Sequence, residues 1–317
     1  MKIKLIISLV LLFLTFTFCR NRVSDDFPNK IQTTKTDKHV RIEGTKVYAI
    51  IPNGFQYIKE MARYQKNDNL FIQFVESNAS NFFQGKTTIT EQLNGAKNVL
   101  WKDVKLNEFE AIYFEGTYPI PNLPDPPLML VFGDESFVVM ITGVYKIKDI
   151  EGKKELQEIM KSIYYDKSLQ IDPLELASFK FDQTITNFKY SMTASNMFMF
   201  AENGKNDAQN PTANQLIISV APKTTEENTE KFLYSLLSQF ERRGIKLDDK
   251  TINKTTINNH TAFVLSTKID YVGTEGIMYD AALITETKTI YFVGMAYSDI
   301  DNYYTKFEKT VETIREK

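Results

Sequence analysis

From Lys46 onward the chain alternates between two spacings of apolar residues, one suited to sheets and one to helices. Val47-Tyr48-Ala49-Ile50-Ile51 reads as a strand that stops at the turn cluster Pro52-Asn53-Gly54. Leu70 to Val75 reads as a second strand. Ile89 and Leu93 lie at helical spacing within the polar stretch that follows. Ala111 to Tyr118, Leu128 to Phe132 and Phe137 to Val144 read as strands, with Gly133-Asp134-Glu135-Ser136 turning the last hairpin. Leu156, Ile159, Met160 and Ile163 mark one face of a closing helix.

The second half runs in the same order. Strands are expected at Phe188–Thr193, Gln215–Ala221, Thr261–Ile269, Ile277–Ile284 and Thr289–Ala296. Thr224 with Glu227 reads as a capping box opening a helix striped by Phe232, Leu233, Leu236, Leu237 and Phe240, and Gly244 ends it. A last helix carries Ile300, Tyr304, Phe307, Val311 and Ile314 on one face. The halves align without gaps at an offset of 151. Only Asn107, Ala111, Glu135, Gly143 and Ile163 are identical to their counterparts among 58 positions. The matching order of elements, more than identity, predicts an α+β fold of two tandem units, each an antiparallel sheet flanked by helices.

The first residues read differently. A basic start, Met1-Lys2-Ile3-Lys4, precedes fourteen largely apolar residues from Leu5 to Phe18. At about 1.5 Å per residue that run is shorter than the ~30 Å hydrocarbon core. It fits a signal peptide over 1–18. Cys19 ends the run, as in bacterial lipoprotein signals where this cysteine becomes the lipidated first residue, although Phe18 stands where a small residue is usual. Residues 19–43 are rich in Thr, Lys, Asp and Asn and read as a flexible tether. The expected organisation is then a first domain over 44–165, a linker over 166–180 and a second domain over 181–317. The expected location is the bacterial cell envelope, lipid-anchored and facing the periplasm or the exterior.

The strand ending in Ile51-Pro52-Asn53-Gly54-Phe55, the meander beginning Leu106-Asn107-Glu108-Phe109-Glu110-Ala111 and the helix ending Lys161-Ser162-Ile163 together resemble the PsbP-like fold, including its DcrB-like bacterial lipoproteins. Ile257-Asn258-Asn259-His260-Thr261-Ala262 is a weaker second copy, and Ala194-Ser195-Asn196 departs from the expected turn. The resemblance implies binding of proteins or small ligands more than catalysis. It transfers no site residues, because the family has no common site.

Chemistry is sparse. Cys19 is the single cysteine, and His39 and His260 are the two histidines. No nucleophile elbow, P-loop or metal-binding run is present. These features imply no enzyme, no metal and no cofactor. Without Lys2 and Lys4 the chain has 36 basic and 40 acidic side chains, a net of −4 that disfavours nucleic acid. Glu226, Glu227 and Glu230 complement a helix dipole. Asp248-Asp249 and His260 read as turn residues. The segment from Tyr118 to Leu128 holds five of the ten prolines. Tyr118, Pro119, Pro121, Pro124, Pro126 and Pro127 form a stiff candidate partner-binding loop, or else a rigid connection between strands. Met197-Phe198-Met199-Phe200 fits either core filling or an adaptable binding surface. The expected function is a non-enzymatic envelope lipoprotein that binds a protein partner or assists an envelope complex. A small-ligand carrier with a groove between sheet and helix is the alternative.

Overall fold

A computed structural model describes residues 26–59, 63–93, 99–116, 127–194, 196–204, 210 and 212–317. The N-terminal part contains β1 (Lys30–Ile31), β2 (Val40–Arg41), β3 (Val47–Ala49), β4 (Gln56–Ile58), β5 (Arg63–Asn67), β6 (Leu70–Ser77), α1 (Phe82–Leu93), β7 (Val99–Leu106), β8 (Phe109–Gly116), β9 (Pro127–Gly133), β10 (Val138–Val144), α2 (Ile150–Lys161) and β11 (Tyr164–Tyr165). The C-terminal part contains β12 (Phe179–Lys180), β13 (Lys189–Ala194), β14 (Met197–Ala201), β15 (Gln215–Pro222), α3 (Glu226–Arg242), β16 (Lys246–Leu247), β17 (Asn253–Ile257), β18 (His260–Tyr271), β19 (Thr274–Ile284), β20 (Lys288–Ala296), α4 (Ile300–Thr313) and β21 (Arg315–Glu316).

The fold is mixed α+β. Among the described residues, sixteen strands join one sheet, ordered β1-β7-β8-β9-β10-β6-β13-β14-β15-β20-β19-β18-β16 along its main path. Directly paired residues on neighbouring strands point to the same face. The row Val138, Ser77, Met192, Met199, Ile217, Val293, Asp280, Leu265 therefore runs across both parts on one face. Helices α1 and α3 pack on this face, through Phe82 against Val131 and Val138, and through Leu237 against Leu265 and Val293. Helices α2 and α4 cover the other face, through Leu156, Ile159 and Met160 and through Phe307 and Val311.

The two parts meet at one pairing, Met192 with Ser77. A bulge in β13 makes that pairing compatible with the core. Tyr190 pairs with Phe200 and Met192 with Met199, so Ser191 is the extra residue between them. Positions 190 and 192 would otherwise share a face; the bulge turns Met192 over. Tyr190 keeps its ring against Phe200, with centroids 6.1 Å apart.

The N-terminal segment departs from the expected flexible tether. Phe27, Ile31 and Ile42 are buried in the first core. Phe27 stacks on Tyr113 with centroids 3.8 Å apart, and β1 pairs with β7 in parallel. Three apolar residues spaced along a polar stretch are enough to pin it, although they show no helical or strand period. The expected linker is also partly core. Phe179 is fully buried and pairs with Glu316. The cap of α3 sits one residue later than expected: Thr225 Oγ1 accepts from the Asn228 amide at 3.2 Å.

Gly143 and Gly294, matched at the offset of 151, face α2 and α4. A Cβ at Gly294 would stand 2.7 Å from the Phe307 ring, and one at Gly143 would stand 3.1 Å from Leu156 Cδ1. Absence of a side chain lets each helix close on its sheet. Gly294→Ala is expected to cost about 1–3 kcal/mol through overpacking, with a smaller loss for Gly143→Ala. Urea midpoints of the two variants check the size and the order.

Candidate functional site

Between α1 and α3, regular structure leaves a partly open apolar floor. Strands β6, β14 and β15 alternate buried and half-buried residues. Phe198 and Phe200 enter the core, while Met197 and Met199 point to the helix-bearing opposite face. Met197 is 43% exposed; Met192, Met199 and Ile217 are half-buried. Phe71, Val75 and Met140 continue the strip toward α1, and the Arg63 guanidinium lies 4.0 Å from the Phe71 ring centroid. Phe232 flanks it on α3, packed against Tyr291 and 44% exposed. Unbranched thioethers adapt to different contours, so such a strip suits a partner of irregular shape.

Buried polar groups lie elsewhere. Lys153 on α2 pairs with Glu115 on β8 at 2.7 Å, both buried. Tyr113 donates to Glu115 at 3.1 Å, and Gln157 donates to the Tyr113 hydroxyl at 3.0 Å. Burial pushes the Tyr113 hydroxyl far above its ordinary pKa, and the Glu115 charge adds to the effect. Glu76 accepts from the Lys46 amide at 2.8 Å and from the Tyr165 hydroxyl at 2.9 Å. Desolvation raises its pKa, partly offset by those bonds. These groups tie segments together inside the first core.

Asp280 is different. It sits mid-strand on β19, between Leu265 and Val293, beneath α3. Its neighbours two residues away, Met278 and Ala282, belong to apolar clusters with Leu237 and Leu233 of α3. Among the described residues, neither carboxyl oxygen has a partner at full hydrogen-bond geometry. Burial pushes its pKa up to about 8, and the nearby Ala281 amide offsets only part of that rise. The acid is held neutral in an apolar layer.

Two open hollows occupy matching places beside the starts of α1 and α3. One, of about 780 Å³, is lined by Lys223, Thr225, Glu226, His260, Thr261 and Glu286. The other, of about 520 Å³, is lined by Phe83, Glu108, Glu110, Asp134, Glu135 and Lys167. Glu226 bonds Lys254 at 2.6 Å, and that bond holds its carboxyl below the usual range. Lys167 bonds Asp134 at 2.6 Å. Asp249 bonds the Thr251 amide and hydroxyl as a local turn. Among the described residues, no three His, Cys, Asp or Glu side chains are placed to hold a metal ion. No helix of the described residues is long and apolar enough to cross a membrane.

The expected lipidation residue Cys19 lies outside the described residues, as do Tyr118, Pro119, Pro121, Pro124 and Pro126. Pro127 begins β9, its backbone paired with Val144. His260 opens β18 beside a turn formed by Asn258 and Asn259, both at positive φ. His39 bonds the Ser162 carbonyl at 2.9 Å, far from His260 in sequence. The strip itself was half legible: the Met-Phe-Met-Phe run signals alternation, but Ile217 and Met192 join it only through pairing.

Scans of family models and of curated proteins find no match. Several solved structures are loosely similar. A Bacteroides thetaiotaomicron crystal structure is 10% identical over 44% of this chain and 46% of its own, with a TM-score of 0.30. The chain thus spans about half the length of that structure. The solution structure of cyanobacterial PsbP (CyanoP) from Synechocystis sp. is 9% identical over 48% of this chain and all of its own, at 0.31. The T6SS immunity protein TplEi from Pseudomonas aeruginosa is 10% identical over 87% of this chain and 99% of its own, at 0.30. A PsbP is thus among the similar structures, but scores this low carry no weight for function.

Asp280 makes stability depend on pH. Its folded pKa of about 8 lies above the ordinary ~3.9, so the folded state holds a proton that the unfolded state has lost. The acid is neutral in both states below pH ~4, and its penalty grows from there to pH 8. Asp280→Asn is expected to match the parent near pH 4 and to exceed it by several kcal/mol, up to about 5, at pH 8. Urea unfolding at both values measures the difference.

Proposed function

We propose that this protein is a non-enzymatic binding protein of the bacterial cell envelope, anchored through lipid on Cys19. It is built of two copies of one PsbP-like unit and receives a protein partner on the strip between α1 and α3. The observation that carries the reading is the half-exposed row Met192, Met199 and Ile217 with Met197 beside it, left between two helices on one sheet face. Contiguous apolar surface of this kind favours macromolecular contact. Matching glycines and recurring element order support the two-copy reading.

A small-ligand carrier is the second reading. It calls for an enclosed apolar pocket with a few convergent polar groups. The two hollows are open and lined mainly by charged and polar side chains, and large aromatic residues fill the cores. Those observations favour the protein partner.

Affinity capture of the intact protein from its own envelope, followed by mass spectrometry, identifies the partner. Met197→Glu combined with Ile217→Glu is expected to reduce recovery of that partner by roughly ten-fold or more while the melting temperature stays within a few degrees. Unchanged recovery removes the strip as the contact. Cys19→Ser is expected to move the protein from the membrane to the soluble fraction. Persistence in the membrane removes the anchor.

A further inference from the structure

The most exposed apolar residues near the N-terminal segment are Ile147, at 61%, and Ile150, at 56%. They project from a short, rigid feature. The Asp149 amide donates to the Lys146 carbonyl at 2.7 Å, which closes a turn with Ile147 and Lys148 at its tip. Asp149 then caps α2, accepting from the Gly152 amide at 2.9 Å, and Ile150 is the first residue of that helix. Lys146, Lys148 and Lys154 are exposed around the two isoleucines. Lys146, Lys148 and Lys154 against Asp149 and Glu151 leave one net positive charge at this end, with Asp149 turned to the Gly152 amide and Glu151 paired with Lys154 at 2.9 Å, so Lys146 and Lys148 flank the tip.

This feature adjoins the point where the chain leads back toward Cys19. Asp26 Oδ1 accepts from Gln157 at 3.1 Å and lies 3.9 Å from Lys153 Nζ. Lys153 is three residues beyond Ile150 on α2, a rise of about 4.5 Å. Phe27 is clamped on Tyr113, its carbonyl accepts from Lys102 Nζ, and the Asn29 and Ile31 carbonyls accept from the Lys105 and Asn107 amides. The segment is fixed at this place. Asp26 is seven residue steps from Cys19, and fully extended they reach at most ~25 Å. The turn matched in the second half carries Ser298, Asp299 and Asp301 instead.

We propose that the turn Lys146–Ile150 is a membrane-resting surface, seated on the bilayer that holds the Cys19 lipid. Ile147 and Ile150 enter the headgroup region, and Lys146 and Lys148 meet anionic lipid phosphates there. A tether of at most ~25 Å keeps this end of the molecule close to the bilayer surface. The opposite sheet face, with its methionine strip, stays clear for a partner. The proposal rests on the anchor reading above.

The test uses the full lipidated chain carrying Ile147→Cys, labelled with an environment-sensitive fluorophore and reconstituted into phosphatidylethanolamine–phosphatidylglycerol vesicles. The Cys19 thiol is consumed by lipidation, so residue 147 carries the label. Expected are a blue-shifted emission and loss of most intensity to nitroxide-bearing lipids. The same label at Val272→Cys, a site 71% exposed in the second half, stays unquenched. Adding Lys146→Glu and Lys148→Glu is expected to reverse the quenching while the chain still floats with the vesicles. A chain that floats with residue 147 as unquenched as residue 272 overturns the resting surface alone. A chain that does not float, with Cys19 open to labelling, overturns the anchor and the resting surface together.

Discussion

The bulge at Ser191 is the constraint on which the rest of the molecule depends. Strand β13 must place Tyr190 against Phe200 in one core and, two residues later, place Met192 beside Ser77 on the opposite face. A regular strand cannot do both, because its side chains alternate with a period of two. The extra residue resolves the conflict, at the cost of a buried Ser191 hydroxyl with no partner. Removing that residue would push Met192 into the aromatic layer or break the join between β6 and β13. The strip between the helices, and the placement of α1 and α3 on one face, both follow from this local irregularity.

Buried polar groups divide into two kinds. Lys153 and Glu115 are costly to desolvate, but they satisfy each other, and Tyr113 and Gln157 complete the set. The network reaches Asp26, so the ion pair also fixes where the N-terminal segment lies. Asp280 has no such company. Its counterpart at the offset of 151 is Met129, a buried apolar residue under α1. The two positions matched at that offset thus carry opposite chemistry, and Asp280 weakens the layer beneath α3. The same helix leaves Phe232 and Tyr234 half-exposed, which agrees with a looser attachment than that of α4.

Much of the fold was legible because alternation and helical stripes both depend on which side of an element is dry. The meander from β8 to β10 and its closing helix follow the apolar pattern closely, as do β18 to β20 and α4. Four of the five matched identities have physical roles. Asn107 and Asn258 take positive φ at hairpin turns, Ala111 and Ala262 are buried, Gly143 and Gly294 admit helices, and Ile163 and Ile314 are buried behind α2 and α4. The N-terminal segment was misread because Phe27, Ile31 and Ile42 are too widely spaced to form a period. Their burial depends on Tyr113 and on the edge of β7, distant in sequence. The strip was only partly legible for the same reason: a single strand shows which residues share a side, not which strands will stand beside it.

The two halves share what holds a helix on a sheet and differ in what faces outward. Glycines lie under both α2 and α4, whereas the turn before each helix is Lys-Ile-Lys in one half and Tyr-Ser-Asp in the other. A core position is judged by many packed neighbours at once, so few substitutions are tolerated there. An exposed turn is judged only by solvent or by whatever it touches. The first of these turns lies beside the segment locked down by Phe27 and Asp26. The half nearer Cys19 in sequence presents isoleucine and lysine there; the other presents serine and aspartate. Under the proposed resting surface, the first turn would meet lipid and the second water, while the methionine strip lies on the other sheet face.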